Sequence, residues 1–353
     1  MTPAMPGSQP TRSDIQASPR WFPHMLDPLS GQVVLVERME ADFRTAAFLD
    51  DRSLAQGAHR FAVQWDDLAA ALAATARRDA QYIFHIGHVG STLISRLLGE
   101  LPSVLALREP LLLRTFAEMD QLQGQPDNPW APESMVPRLD ALTALLSRSF
   151  RLEQRAMVKA TSFTSEIAPL LVPAGSKALL LYARPERYIA NLLAGDAARA
   201  TMNFLAGNRL KRLARRLGEA PGYLWAMGEP EKAGLAWACE MASLAGAARL
   251  LGPERVRWMD FDAFLADSAG QLSDLAGFFG HGMDPSTATA LCRGPLMSRY
   301  SKALEYEYSP GLREQILAES HAGNREAIAG AMAWLHGAAA RYPAIAQCIE
   351  QAA

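Results

Sequence analysis

From Ala80 onward, apolar runs of strand length alternate with stretches of helical spacing. "QYIFHI" (residues 81–86) is mostly apolar, as a parallel strand covered on both faces must be, and an amphipathic helix over Thr92–Gly99 follows almost at once. The rhythm repeats with "SVLAL" (Ser103–Leu107), a helix near Val136–Gln154, "AMVKA" (Ala156–Ala160), "KALLLYA" (Lys177–Ala183) and its helix "RYIANLLAG". A long helix around Glu231–Leu251 leads to a fifth strand, "RVRWMDF" (Arg255–Phe261), and the rest reads as helix apart from "RGPLMSRYSKALEYEYSPG". Such alternation predicts the α/β class: a three-layer sandwich with a mostly parallel central sheet over residues 80–353. The pattern upstream is different. "GQVVLVERM" (Gly31–Met39) and "RTAAFLDDR" (Arg44–Arg52) predict a strand hairpin, and "WDDLAAALAATARRD" (Trp65–Asp79) a helix. Residues 1–22, rich in Pro, Ser and Thr and without an apolar signal core, are expected to be a disordered tail, with 23–79 an N-terminal extension.

Composition narrows the function classes. Of 353 residues 49% are hydrophobic, enough for a large buried core, and the formal net charge of -2 gives no pull toward nucleic acid or an anionic membrane. Cys239, Cys292 and Cys348 are far apart and show no metal-ligand spacing, so neither a metal nor a disulfide framework is expected, and the default compartment is reducing and cytoplasmic. No apolar run is long enough to predict a membrane span.

The chemistry concentrates at the ends of the strands, where open parallel sheets bind their ligands. The first of them runs into Gly87-His88-Val89-Gly90-Ser91-Thr92. A strand, a glycine turn and a helix N-terminus make an anion site: backbone N–H groups point inward and the helix dipole favours negative charge. Gly87 and Gly90 permit close backbone approach, and Ser91 and Thr92 add hydroxyls. A nucleoside triphosphatase would carry Lys just before the Ser or Thr; here Gly90 precedes Ser91 directly.

"GHVGSTLISRLL" resembles the phosphosulfate loop of the P-loop sulfotransferases, which use 3'-phosphoadenosine 5'-phosphosulfate (PAPS) and lack that lysine. "ELPSVLALREPLLL", "LLLYARPERYIANLL" and "RVRWMDFDAFLADSAGQLSDLAGFFG" resemble later segments of the same family, so the likeness covers roughly residues 81–280. The resemblance implies a P-loop fold, PAPS as co-substrate without a metal, and sulfuryl transfer to a hydroxyl or amine acceptor that the sequence leaves open. It implies that the Gly87–Thr92 loop, including Val89, holds the phosphosulfate, and that Arg184 and Asn191, with Arg187 in reserve, hold the 3'-phosphate. Two positions depart from the pattern: His88 stands where the family has a basic residue, and Arg184 is displaced by one. His88 replaces a cation only when protonated, its unperturbed pKa being about 6.5, or else donates a neutral hydrogen bond.

Glu109 is the candidate general base, or else it pairs with Arg108 or Arg114. Lys159 either faces the leaving group or is an ordinary strand-end lysine; His85 reads as a hydrogen-bonded core histidine. Tyr300 and Lys302 lie in a late loop that either covers the nucleotide or is plain surface. "NRLKRLARRLGE" (Asn208–Glu219) predicts an amphipathic helix with a solvated basic face, or a lid over an acidic ligand. Two other functions remain open: a degenerate fold that binds a nucleotide or partner without turnover, motivated by His88 and Arg184, and a nucleotide-dependent kinase, which the absent lysine disfavours.

Overall fold

A computed structural model of the chain describes residues 10–54, 57–72 and 76–353. Near the N-terminus, β1 (Trp21–Leu26), β2 (Gln32–Glu37) and β3 (Arg60–Gln64) form an antiparallel sheet in that order. The main sheet contains β4 (Gln81–His85), β5 (Val104–Arg108), β6 (Arg155–Lys159), β7 (Ala178–Tyr182) and β8 (Val256–Asp260). Its order is β5-β6-β4-β7-β8, and every pair is parallel. Every residue of β4 and β5 is buried, because helices cover both faces of the sheet, and this is why those strands lack an apolar-polar alternation. The fold is therefore α/β with an all-parallel central sheet flanked by helices.

The order of the strands positions the site. From β4 the chain first crosses to β5 and returns to β6, then passes to the other side for β7 and β8. The topological switch point, where α/β sheets open a crevice, thus lies at the carboxyl end of β4. Register aligns the neighbouring ends: Lys159 lies opposite both Ile83 and Arg108, and His85 opposite Leu181.

The upstream expectations need correction. Residues 1–9 lie outside the described residues, but Arg12–Ala17 is a helix capped by Thr11, with Ile15 buried, and β1 straddles the expected boundary at 22/23. This segment is held from a distance: the buried Arg148 guanidinium donates to the carbonyls of Ile15, Ser18 and Trp21 at 2.6–3.0 Å. The partners of β2 are accordingly β1 and β3, not Arg44–Arg52. Those residues instead contain the end of a helix, Glu40–Thr45, and a 3-10 turn, Asp51–Ser53. The Asp42 carboxylate, accepting from Met39 N at 2.6 Å, closes the first turn of that helix. The Trp65–Asp79 helix is present over Trp65–Leu72; residues 73–75 lie outside the described residues. The helix expected to reach Gln154 ends at Leu146, where the Ser147 hydroxyl turns to accept from Asp79 N and Ala80 N at the start of β4. Among the described residues no helix is long and apolar enough to cross a membrane.

Candidate functional site

After Ile86 donates to Leu181 O, the chain turns sharply. Gly87, His88 and Gly90 have φ of 87°, 54° and 67°, and the helix Ser91–Gly99 starts at once. Gly90 is the N-cap and supplies no side-chain acceptor, so the first N–H groups of this helix are left to an external anion or water. Thr92 Oγ1 and Ser95 Oγ are buried on the same helix without a hydrogen-bond partner. Three side chains fix the turn. His85 Nδ1 accepts from Gly87 N at 3.0 Å, which places the proton of the neutral ring on Nε2. Tyr188 Oη donates to Ile86 O at 3.0 Å, and Asn191 Nδ2 to His88 O at 2.8 Å. The ring of Phe261 lies against Gly90 so closely that a Cβ there would meet it at 2.0 Å.

His88 and Glu109 (φ 51°) are the two non-glycine residues with left-handed backbone among the described residues. That conformation costs about 1–2 kcal/mol per residue, and both instances fall in the site. Glu109 is locked by Glu109 N donating to Lys159 O at 2.7 Å and by an ion pair between Glu109 Oε1 and Lys159 Nζ. Lys159 is 1% exposed; burial lowers its pKa, and the Glu109 carboxylate opposes that shift. Arg108 is not the partner of Glu109, because its guanidinium is occupied by the carbonyls of Phe43, Arg44 and Ala46. Nor is Arg114, whose guanidinium lies 5.9 Å from the Phe163 ring centre.

The N-terminal segment reaches this centre. Phe48 is flanked by Arg52, 3.7 Å from the ring centre, and by Lys159 Nζ at 5.7 Å. The late loop arrives from the opposite end of the chain. Arg96, on the helix behind the phosphate-type loop, donates to Ser301 O at 2.8 Å and anchors it. The Lys302 charge helps lower the pKa of His85, His88 and Lys159, and the Glu109 carboxylate in turn opposes the lowering of the Lys302 pKa by burial. Tyr300 instead packs edge-on against Tyr308, with ring centres 5.5 Å apart.

Several residues differ from the sequence reading. Of the two roles left open for His88, its surroundings favour the neutral one: burial, with help from the charges of Lys302 and Arg209, pushes its pKa down to about 4. Asn191 spends its amide donor on the loop backbone. Arg187 is held by Asp262 (2.5 Å) and Glu314, and Arg313 pairs with the same Asp262 at 2.6 Å. Arg184, over half exposed and only loosely associated with Asp260 at 3.5 Å, remains available to an anion. The expected solvated basic face on Asn208–Glu219 is not solvated throughout, since Arg209 and Arg212 are buried within the helix Asp196–Leu217. Their carboxylate partners, Glu166 and Glu240, come from distant segments, so spacing within the helix gave no sign of them. Sequence reasoning also missed Phe48, Arg52, Arg96 and Phe261, each brought in by a long-range contact.

No protein-family model matches the chain, and no curated protein matches it. Among solved structures, the chain is similar to a sulfotransferase domain from the curacin biosynthetic pathway (16% identity, 67% of this chain and 85% of that chain, TM-score 0.44). It is also similar to a sulfotransferase from Alicyclobacillus acidocaldarius (18%, 74% and 97%, 0.36). A third is a mouse sulfotransferase complexed with PAP (11%, 85% and 99%, 0.39). At these identities and TM-scores the likeness decides nothing about activity; the fold rests on the sheet order and the loop geometry given above.

Proposed function

We propose that this chain transfers a sulfuryl group from PAPS to a hydroxyl or amine acceptor, and that residues 80–353 form the transferring domain. The observation that carries the reading is the loop itself. It is an anion cradle at the switch point of a parallel sheet, it has Gly90 where a triphosphatase has its lysine, and the cations Lys159 and Lys302 come from elsewhere. A kinase normally uses the missing lysine to contact the β- and γ-phosphates.

PAPS would supply the activated sulfuryl group. The N–H groups of Gly87–Thr92 and the Ser91 and Thr92 hydroxyls would hold its phosphosulfate end, and Arg184 its 3'-phosphate. Asn191 acts one step back, by holding the loop. Lys159 and Lys302 would offset the charge that collects on the bridging oxygen as its S–O bond breaks. The acceptor oxygen or nitrogen forms the new bond to sulfur, and its proton passes to Glu109, whose position is fixed by Lys159. His88, neutral near pH 7, would act as a hydrogen-bond donor only. The three cysteines are free thiols, which suits a reducing, cytoplasmic setting.

The test is ligand stabilisation of the full chain by PAPS, adenosine 3',5'-bisphosphate, ATP with magnesium, and GTP. A ligand at about 100 times its Kd adds about 2.7 kcal/mol. Stabilisation by PAPS and the bisphosphate is expected; stabilisation by ATP with magnesium alone would replace the reading with a kinase. PAPS binding without sulfuryl transfer to any member of a broad acceptor panel would favour a nucleotide-binding protein without turnover.

A further inference from the structure

The loop carries His88 where the family it resembles has a basic residue, and a candidate cation comes from a segment more than 100 positions away. Arg209 is 5% exposed on the helix Asp196–Leu217. Its Nε donates to Glu240 Oε1 at 3.2 Å, but its Nη1 is buried with no hydrogen-bond partner. The surrounding network cannot satisfy it. Glu240 already accepts from Arg212 on both oxygens, at 3.0 and 2.9 Å, and Glu166 is taken by Arg212, Arg216 and the Ser243 hydroxyl. Four arginines, Arg209, Arg212, Arg215 and Arg216, thus face three carboxylates, Glu166, Glu240 and Asp120, leaving an excess of one positive charge.

Glu240, the carboxylate that holds Arg209, lies one turn after Trp237, whose indole donates to Ala183 O just past the end of β7, the strand beside β4. The preceding helix, Pro185–Leu193, is bolted to the loop by Tyr188 and Asn191, and the Arg209 helix follows it after a short turn. The Arg209 charge reaches His88 on the loop and Tyr188 on its flank. The loop side has matching unpartnered groups, Thr92 Oγ1 and His85 Nε2, both buried. A guanidinium N–H left unpaired in a buried site is costly unless a ligand or water completes it.

We propose that Arg209 is the cation of the anion cradle, its free Nη1 binding an oxygen at the phosphosulfate end of the nucleotide in place of the basic residue that the resembled family has at the position of His88. The proposal rests on the nucleotide reading above. It explains how the chain tolerates a neutral residue at position 88. It also assigns the basic helix a role in binding, with Glu240 and Arg212 orienting the guanidinium.

The experiment measures the affinity of the full chain for adenosine 3',5'-bisphosphate by calorimetry. Arg209→Gln should bind about 10- to 100-fold more weakly, the range for a lost charged hydrogen bond. Arg216→Gln perturbs the same network but not the free Nη1 and should change affinity by no more than about twofold. Adding His88→Lys to Arg209→Gln, which returns a cation to the loop, should restore binding; a merely structural loss would not be rescued. Wild-type affinity in Arg209→Gln, or equal losses in Arg216→Gln and Arg209→Gln without rescue, would overturn the proposal. Should Arg209→Gln fail to fold, a crystal structure of the wild type with the bisphosphate decides. Nη1 within about 3.2 Å of a phosphate oxygen sustains it, and Nη1 directed elsewhere overturns it. A wild type blind to the bisphosphate would sink the nucleotide reading instead. The cradle is then judged with inorganic sulfate against chloride at equal ionic strength. Sulfate protection lost in Arg209→Gln keeps Arg209 as an anion ligand, and equal protection in both proteins removes it.

Discussion

Replacing Glu109 by Gln removes one charge and almost no volume, and it leaves the left-handed backbone at this position unchanged. What it exposes is the burial of Lys159, whose side chain is 1% accessible while that of Glu109 is 14% accessible. Removing one partner of a buried pair costs about 3–5 kcal/mol. An independent ceiling comes from protonation. At worst Lys159 gives up its proton in the folded state, which at about pH 7 costs about 4.6 kcal/mol against an unfolded pKa of about 10.4. The Gln amide oxygen can still accept one hydrogen bond, so a loss of about 2–4 kcal/mol is expected. The sign of the pH dependence follows from the direction of the shift. Burial lowers the folded pKa of Lys159 below the unfolded value, so between the two the unfolded chain binds more protons and stability rises with pH. Losing Glu109 deepens that shift, so the penalty should shrink as pH rises, its ceiling falling to about 1.4 kcal/mol at about pH 9.4. Urea unfolding of wild type and variant at both pH values measures this. Glu109→Gln/Lys159→Met, which buries no charge, should be more stable than Glu109→Gln alone near neutral pH. A Glu109→Gln penalty that is the same at both pH values, or a double variant less stable than the single, would refute the argument that a buried ammonium is the cause.

Further outcomes follow from the same geometry. Gly90→Ala should destabilise by about 2–4 kcal/mol, combining left-handed strain with the clash against Phe261, whereas Gly87→Ala, whose Cβ has ordinary room, should cost about 1–2 kcal/mol by thermal or urea unfolding. His88 is neutral when folded and charged when unfolded between about pH 4 and 6.5, so acidification from pH 7 to 5 should cost wild type up to about 2 kcal/mol through this residue. His88→Asn, which tolerates the left-handed backbone, should show a correspondingly shallower loss in urea midpoints. Arg184→Ala should weaken adenosine 3',5'-bisphosphate more than the 5'-monophosphate in calorimetry, and equal losses would remove Arg184 from the 3'-phosphate. If Glu109 is the base, Glu109→Gln should lower turnover about 100-fold or more in a transfer assay while PAPS affinity stays within about threefold.

The sequence by itself determined the parallel sheet and the loop. Buried strands such as β4 must be apolar on both faces, glycine must supply the tight turn, and an amphipathic stretch must follow; all three signals are local, and the strand at Gln81–His85 and the helix at Ser91–Gly99 lie close to where spacing put them. Lys159 and Glu109 were likewise visible as polar residues at strand ends. That they pair was decided by the order β5-β6-β4, which no local pattern encodes. Residues 12–22 look like a tail because their own composition buries too little; they are ordered by the Arg148 guanidinium, more than 120 positions away, collecting their carbonyls. His88 read as either a cation or a neutral donor because its reference pKa is near neutral, and only the protein mass and positive charges packed around it make it neutral. Arg209 and Arg212 looked like solvent-facing charges on an amphipathic helix. Glu166 and Glu240, supplied by segments before and after that helix, draw them inside, because a buried charge is tolerated only where its partners are already in place.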